Sequence, residues 1–135
     1  MNIKLDNTSF AFQMGLEIEK IEKGHSRGVL HVDGRHRNSV GLVHGGVLCT
    51  MADTICATAI LSGIDENRHP LTVDLNISFL KPARGKRITA DASIVHLGYR
   101  IARVECSLMS DDILVARVGA TFMIVERKEI KANDH

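Results

Sequence analysis

The sequence predicts an α+β domain in which one antiparallel β-sheet wraps around one long central helix. Three observations carry that expectation. Val47, Leu48, Met51, Ala52, Ile55, Ala59 and Ile60 recur at helical spacing through residues 47–61, and Gly63 stands where a helix would stop. Leu71, Val73, Leu75, Ile77 and Phe79 alternate with Thr72, Asp74, Asn76 and Ser78, the period-2 pattern of a strand. That strand opens a run of four in the second half, and their short connections favour antiparallel neighbours.

In chain order, Thr8 to Gln13 reads as a short lead-in helix anchored by Phe10 and Phe12. Met14 to Lys23 is a strand whose apolar phase slips before Ile21, which predicts a bulge. Gly24 and the residues after it turn into a second strand, Gly28 to Asp33, and Gly34 to Asn38 is a loop into the helix. After Gly63 a loop runs to Pro70, and the period-2 strand from Leu71 ends at Pro82 and Gly85. Ile88–Val95, Ile101–Met109 and Leu114–Val125 complete the set, with turns at Gly98-Tyr-Arg and Ser110-Asp-Asp. The stretch from Arg127 to His135 is polar and reads as a frayed tail.

The 135 residues suit a single domain with a real core, and 44% hydrophobic with 24% charged residues is ordinary globular composition. A net charge of +1 gives no general argument for nucleic acid or membrane binding, and the N-terminus has no apolar leader pattern. The central stretch is long enough to suggest a membrane span. Asp53 near its middle would cost roughly 2.5–3.5 kcal/mol there, and the flanks lack a basic bias. Cys49, Cys56 and Cys106 have no metal-ligand spacing, and Cys49 and Cys56 lie about 10 Å apart along one helix, too far for a disulfide. They read as reduced thiols of a cytoplasmic protein.

Asp53 is the single charge in the helix, and a carboxylate there must be hydrogen-bonded, neutralised or at work. Around it Gly46, Cys49, Thr50, Asp53 and Ala57 form a stripe of small side chains that allows close approach. At the front of the helix, Gly45 and Gly46 would leave the first N–H groups free for an anion or a developing oxyanion. Plainer accounts stand beside these. The glycines could serve tight packing, Asn38 could close a loop, His44 could be a structural hydrogen-bonder, and Thr72 could reflect strand propensity. Lys81, Arg84, Lys86 and Arg87 concentrate charge in a stretch that is either a solvated hairpin tip or, with Arg100, a grip for phosphates.

Asn38, then His44-Gly45-Gly46, then Met51-Ala52-Asp53, together with the strand Leu71 to Ala83, resemble the phenylacetic-acid-degradation (PaaI-type) acyl-CoA thioesterases, which have the hotdog fold. The resemblance runs from about Phe10 to Val125. It implies hydrolysis of acyl-CoA or aryl-CoA thioesters without metal or organic cofactor. Asp53 would act as general base or nucleophile, and Gly45 N–H would hold the carbonyl oxygen. Asn38 would position the carbonyl or water, Thr72 would orient water or carboxylate, and His44 would support the oxyanion loop. Gly46, Lys81, Arg84, Lys86 and Arg100 are the candidate substrate contacts. Two rival readings are a non-catalytic acyl-CoA-binding regulator and a hotdog dehydratase.

Gly45 and Asp53 are eight residues apart, so about 12 Å apart along the helix axis. A reacting carbon must lie within about 3 Å of both the oxyanion donor and the attacking group. A working site therefore pairs Gly45 and Asn38 of one subunit with Asp53 and Thr72 of another. That requires a homodimer, and the family pairs dimers into homotetramers.

Overall fold

The computed structural model describes residues 3–132. In it α1 (Phe10–Met14) leads into β1 (Glu17–Glu22) and β2 (His25–His31), and a 3-10 turn at Gly34–His36 precedes α2 (Gly45–Leu61). β3 (Arg68–Phe79), β4 (Arg87–Leu97), β5 (Ile101–Ser110), β6 (Ile113–Glu126) and α3 (Arg127–Ala132) follow. The strands form one antiparallel sheet in the order β1-β2-β4-β5-β6-β3, and the expected bulge in β1 falls between Ile18 and Lys20.

α2 lies across one face of this sheet. Met51, Ala52, Ile55, Cys56, Ala59 and Ile60 are fully buried against strand residues such as Ile88, Val104, Leu108 and Phe122. Each large aliphatic side chain so buried contributes on the order of 1.5–3 kcal/mol. Small residues let the helix settle close. Ala90, Ala92, Ala102 and Ala120 line the strands beneath it, and a Cβ at Gly28 would collide with the Ile55 side chain. The other side of α2 is more open: Thr50, Asp53, Thr54, Ala57 and Leu61 are half-buried. A helix buried on most sides was expected, and α2 touches all six strands. The large apolar side chains point to the sheet, and the stripe from Thr50 to Leu61 is the part it leaves open.

Several expectations need correction. β3 and β4 are consecutive in sequence but not neighbours, because β3 occupies the far edge beside β6. The seven-residue connection at 80–86 is long enough to make that crossing, about 14 Å for three strand spacings. It is tied along its way by Leu80 N–H to Val115 O and Val43 N–H to Ala83 O. β3 also starts at Arg68 and includes Pro70, tolerable in an edge strand where a missing N–H leaves no ladder bond broken. β2 likewise begins earlier, at His25. In α1 the buried residue is Ala11, whereas Phe10 and Phe12 are 72% and 44% exposed. The polar tail is helical through Ala132, with Arg127 N–H bonded to Asn67 O, and residues 133–135 lie outside the described residues.

The period-2 reading of β3 holds only in part. A bulge between Thr72 and Asp74 shifts the register. Thr72 pairs with Phe122, and beyond the bulge Leu75 pairs with Ala120 and Ile77 with Val118, all partners that face α2. Leu71, upstream, pairs with the exposed Met123 and faces the other way. Elsewhere that outer face carries a polar cluster: Asp91 Oδ1 lies 2.5 Å from His25 Nε2, and its Oδ2 accepts from Arg27 Nε at 2.9 Å.

Candidate active site

The bulge has a direct chemical consequence. With uninterrupted alternation Thr72 would share a face with Asp74 and Asn76, away from the helix. Instead its hydroxyl donates to Asp53 Oδ1 at 2.6 Å. The helix supplies a half-buried carboxylate and the edge strand supplies the group that orients it. Both line a cavity of about 530 Å³ with Thr50, Thr54, Ala57 and Phe10. Cys49, one turn before Asp53, is not a competing nucleophile. Burial, and then the Asp53 charge, push its thiol above the ordinary range, so it stays protonated at neutral pH. Cys56, whose thiol is pushed up by its hydrogen bond with Cys106 and by burial, is inert within the core.

The front of α2 is arranged differently from expectation in one respect. His44 is the N-cap: its Nδ1 accepts from Gly46 N–H at 2.7 Å, and its carbonyl accepts from Val47 N–H at 2.9 Å and Leu48 N–H at 3.4 Å. Gly46 N–H is therefore already spent, which corrects its expected role as a free donor. Among the described residues the Gly45 N–H has no partner, so the cap leaves one first-turn donor open. It lines a cavity of about 380 Å³ with Asn38, Lys81, Phe79 and Leu80. A Cβ at position 45 would stand 3.2 Å from the Phe79 ring, so a side chain there would push that exposed ring away from the helix start by a few tenths of an ångström.

Asn38 does close its loop: its Oδ1 accepts from Val40 N–H at 3.1 Å and Leu42 N–H at 3.0 Å. Those bonds fix the side chain and leave its Nδ2 hydrogens unspent among the described residues. Lys81 belongs to the Gly45 cavity. Arg84 and Lys86 sit farther along the connection, exposed and outside that cavity, and Arg100 lines a separate one with Arg68 and Tyr99. Among the described residues no cluster of three His, Cys, Asp or Glu could hold a metal ion, and no helix is long and apolar enough to cross a membrane.

The oxyanion-type donors and the carboxylate thus line two cavities that share no residue. Sequence reasoning missed Phe79 and Leu80 beside Gly45. It also missed Thr54 beside Asp53, whose signal was available, since it lies next to Asp53 and one turn after Thr50 on the helix.

Known proteins bear on this arrangement. The model of the thioesterase superfamily matches residues 40–117, which hold α2, β3 and both halves of the candidate site except Asn38. A medium/long-chain acyl-CoA thioesterase of Salmonella typhimurium, YigI, is 30% identical over 90% of this chain and 93% of its own. Among solved structures, a thioesterase from Haemophilus influenzae superposes with a TM-score of 0.83 at 25% identity, covering 88% of this chain and 84% of its own. A phenylacetic-acid-degradation-related protein from Ralstonia eutropha does so with a TM-score of 0.78 at 29% identity, covering 84% and 87%. With the family matched across its site-bearing half and the architecture shared nearly end to end, the chain belongs to the thioesterase superfamily and is a thioester hydrolase of the hotdog fold.

Proposed function

We propose that this protein hydrolyses acyl-CoA or aryl-CoA thioesters at sites assembled between two copies of the chain, each made of Gly45 and Asn38 from one copy and Asp53 and Thr72 from the other. The observation that carries the reading is the separation of the two half-sites, which lie in different cavities about 12 Å apart along α2. Gly45 N–H and the Asn38 amide receive the thioester carbonyl and stabilise its developing charge. Asp53, oriented by Thr72, either takes a proton from an attacking water or attacks the carbonyl itself to give an anhydride that water then opens. The thiolate of coenzyme A leaves in either case. Lys81 meets the coenzyme's phosphates, with Arg84, Lys86 and Arg100 as outer contacts.

The edge position of β3 supports the dimer, since it leaves a strand edge open next to Thr72. Leu71, Met123 and Ile101 pair across three strands on the outer face and are 41–45% exposed, a surface that supports a further pairing into a tetramer. Three free cysteines, two of them buried, support a reducing, cytoplasmic setting.

The test is coenzyme A release, followed by chromatography, from mixed dimers of two inactive variants, Asp53→Asn and Asn38→Ala. A mixed dimer holds one site with both wild-type groups, so random reassociation restores about a quarter of wild-type turnover in a twofold-symmetric dimer. No restoration would mean that each chain completes its own site, and the shared-site reading would fall.

A further inference from the structure

We infer that His36 is a positioning residue for the oxyanion half-site, docking the hairpin that leads through Asn38 to Gly45 onto the end of α1. This rests on the reading of Asn38 and Gly45 as one half of a site shared between copies. His36 is 1% exposed, and both of its ring nitrogens are bonded to backbone groups. Its Nδ1 lies 2.9 Å from Asp33 N, which can only donate, so the ring proton sits on Nε2 and is given to Met14 O at 2.6 Å. Met14 O is one of the last carbonyls of α1, which find no partner within their own helix. Arg35 Nη1 donates to the one before it, Gln13 O, at 2.8 Å. Two successive side chains thus fasten the segment before the hairpin to the end of α1.

What His36 holds is the base of that hairpin. Its own carbonyl accepts at 2.8 Å from the N–H of His44, the residue that caps α2 and directly precedes Gly45. Arg37 bridges Val43, and Asn38 N–H donates to Leu42 O at 2.7 Å, so the two arms of 36–44 are joined into one piece. Asn38, Leu42 and Val43 of that piece line the Gly45 cavity, and Val43 N–H is tied to Ala83 O at 3.0 Å. A second cavity of about 560 Å³, sharing no residue with the first, lies between α1, the hairpin base and the front of α2. Phe10, Met14, Arg37, Val47 and Thr50 are among its walls. Empty space supplies no contacts, so on this side the His36 bond does what packing does elsewhere. A shift of about 1 Å in a reacting geometry can cost on the order of 100-fold in rate, and both donors of the half-site follow this hairpin.

The experiment measures kcat and KM for coenzyme A release from decanoyl-CoA, or from phenylacetyl-CoA if wild type turns it over faster, in His36→Asn and His36→Gln. The shorter Asn side chain keeps an acceptor for Asp33 N–H but does not reach Met14 O. The longer Gln carries an amide donor to where Nε2 stands. His36→Asn lowers kcat about tenfold or more with KM within about twofold, because the oxyanion donors act mainly in the transition state, and His36→Gln recovers most of the loss. Mixed dimers then assign the half-site. Mixing His36→Asn with Asp53→Asn restores about a quarter of wild-type turnover. Mixing it with Asn38→Ala restores none, since both lesions strike the same half. Restoration in the second mixture but not the first, equal losses in the two His36 variants, or a His36→Asn chain with no cooperative urea transition would overturn the inference. If Asp53→Asn mixed with Asn38→Ala stays inactive, the shared site falls, and the kcat loss in His36→Asn with its recovery in His36→Gln still decides the role of His36.

Discussion

The two sides of α2 obey different rules, although their residues interleave along one helix. On the sheet side Met51, Ala52, Ile55 and Ile60 lose all exposure, and every one is apolar. On the open side Thr50, Asp53, Thr54 and Ala57 stay half-buried and include the only charge of the helix. Asp53 is adjacent in sequence to Ala52, yet a rotation of about 100° moves it from a place where a carboxylate would be ruinous to one where Thr72 and solvent can satisfy it. The sheet side specifies the fold and the open side is left available for chemistry. One helix can do both because only one of its sides is needed to hold it in place.

The most severe way to break this comparison is to move the charge by one residue. Ala52→Asp would bury an unpaired carboxylate at a cost of several kcal/mol, a large share of the roughly 5–15 kcal/mol that holds a domain together. The expected result is no cooperative unfolding transition by circular dichroism in urea. Asp53→Asn, next door, should keep the wild-type urea midpoint while turnover falls at least about 100-fold. A folded Ala52→Asp protein would show that the two sides are not distinct.

A milder change tests the link between the open side and the edge strand. Thr72→Val removes the donor to Asp53, a hydrogen bond to a charged group worth about 1.5–3 kcal/mol, so kcat should fall about tenfold or more. Thr72→Ser should retain most of the activity, since the hydroxyl is what Asp53 uses. Equal losses in both variants would point to packing instead.

The smallest effect belongs to the outer sheet face. Burial pushes the Asp91 carboxyl upward, but the bonds from His25 and Arg27 outweigh it and hold it below the ordinary range. A carboxyl lowered in this way stabilises the fold above its unfolded value of about 3.9 and stops doing so as pH falls through the folded value. Solvent screening keeps the contribution to about 1 kcal/mol or less. Asp91→Asn should therefore lower the urea midpoint slightly at neutral pH and converge with wild type in acid. A gap that persists in acid would assign the loss to packing rather than charge.

What was legible in the sequence was local. Helical spacing from Val47 to Ile60, the isolated charge at Asp53 and the glycines at the front of the helix are all written in neighbouring residues, and each is where it was expected. What escaped depends on partners far along the chain. The placement of β3 at the sheet edge is a choice between β4 and β6 that its own alternation does not encode. The bulge exists only relative to β6, so period-2 counting put Leu71 and Leu75 on one face when they lie on opposite faces. The spending of Gly46 N–H on His44 turns on a side-chain rotamer. The helical end of the tail is tied at Arg127 to the Asn67 and Glu66 carbonyls, partners far back along the chain.

Val73, 58% exposed and seated at the bulge, offers a different lesson about how such a strand can vary. Its side chain is not what the Thr72–Asp53 contact needs; its presence as one extra link in β3 is. Substitutions at this position are cheap in lineage terms, because almost any residue keeps the count. A loss or gain of one residue between Thr72 and Asp74 would transpose every later residue of β3 relative to β6, or turn Thr72 outward. Chain length there is under tighter constraint than residue identity, and drift in the family should be read at this point by gaps before letters.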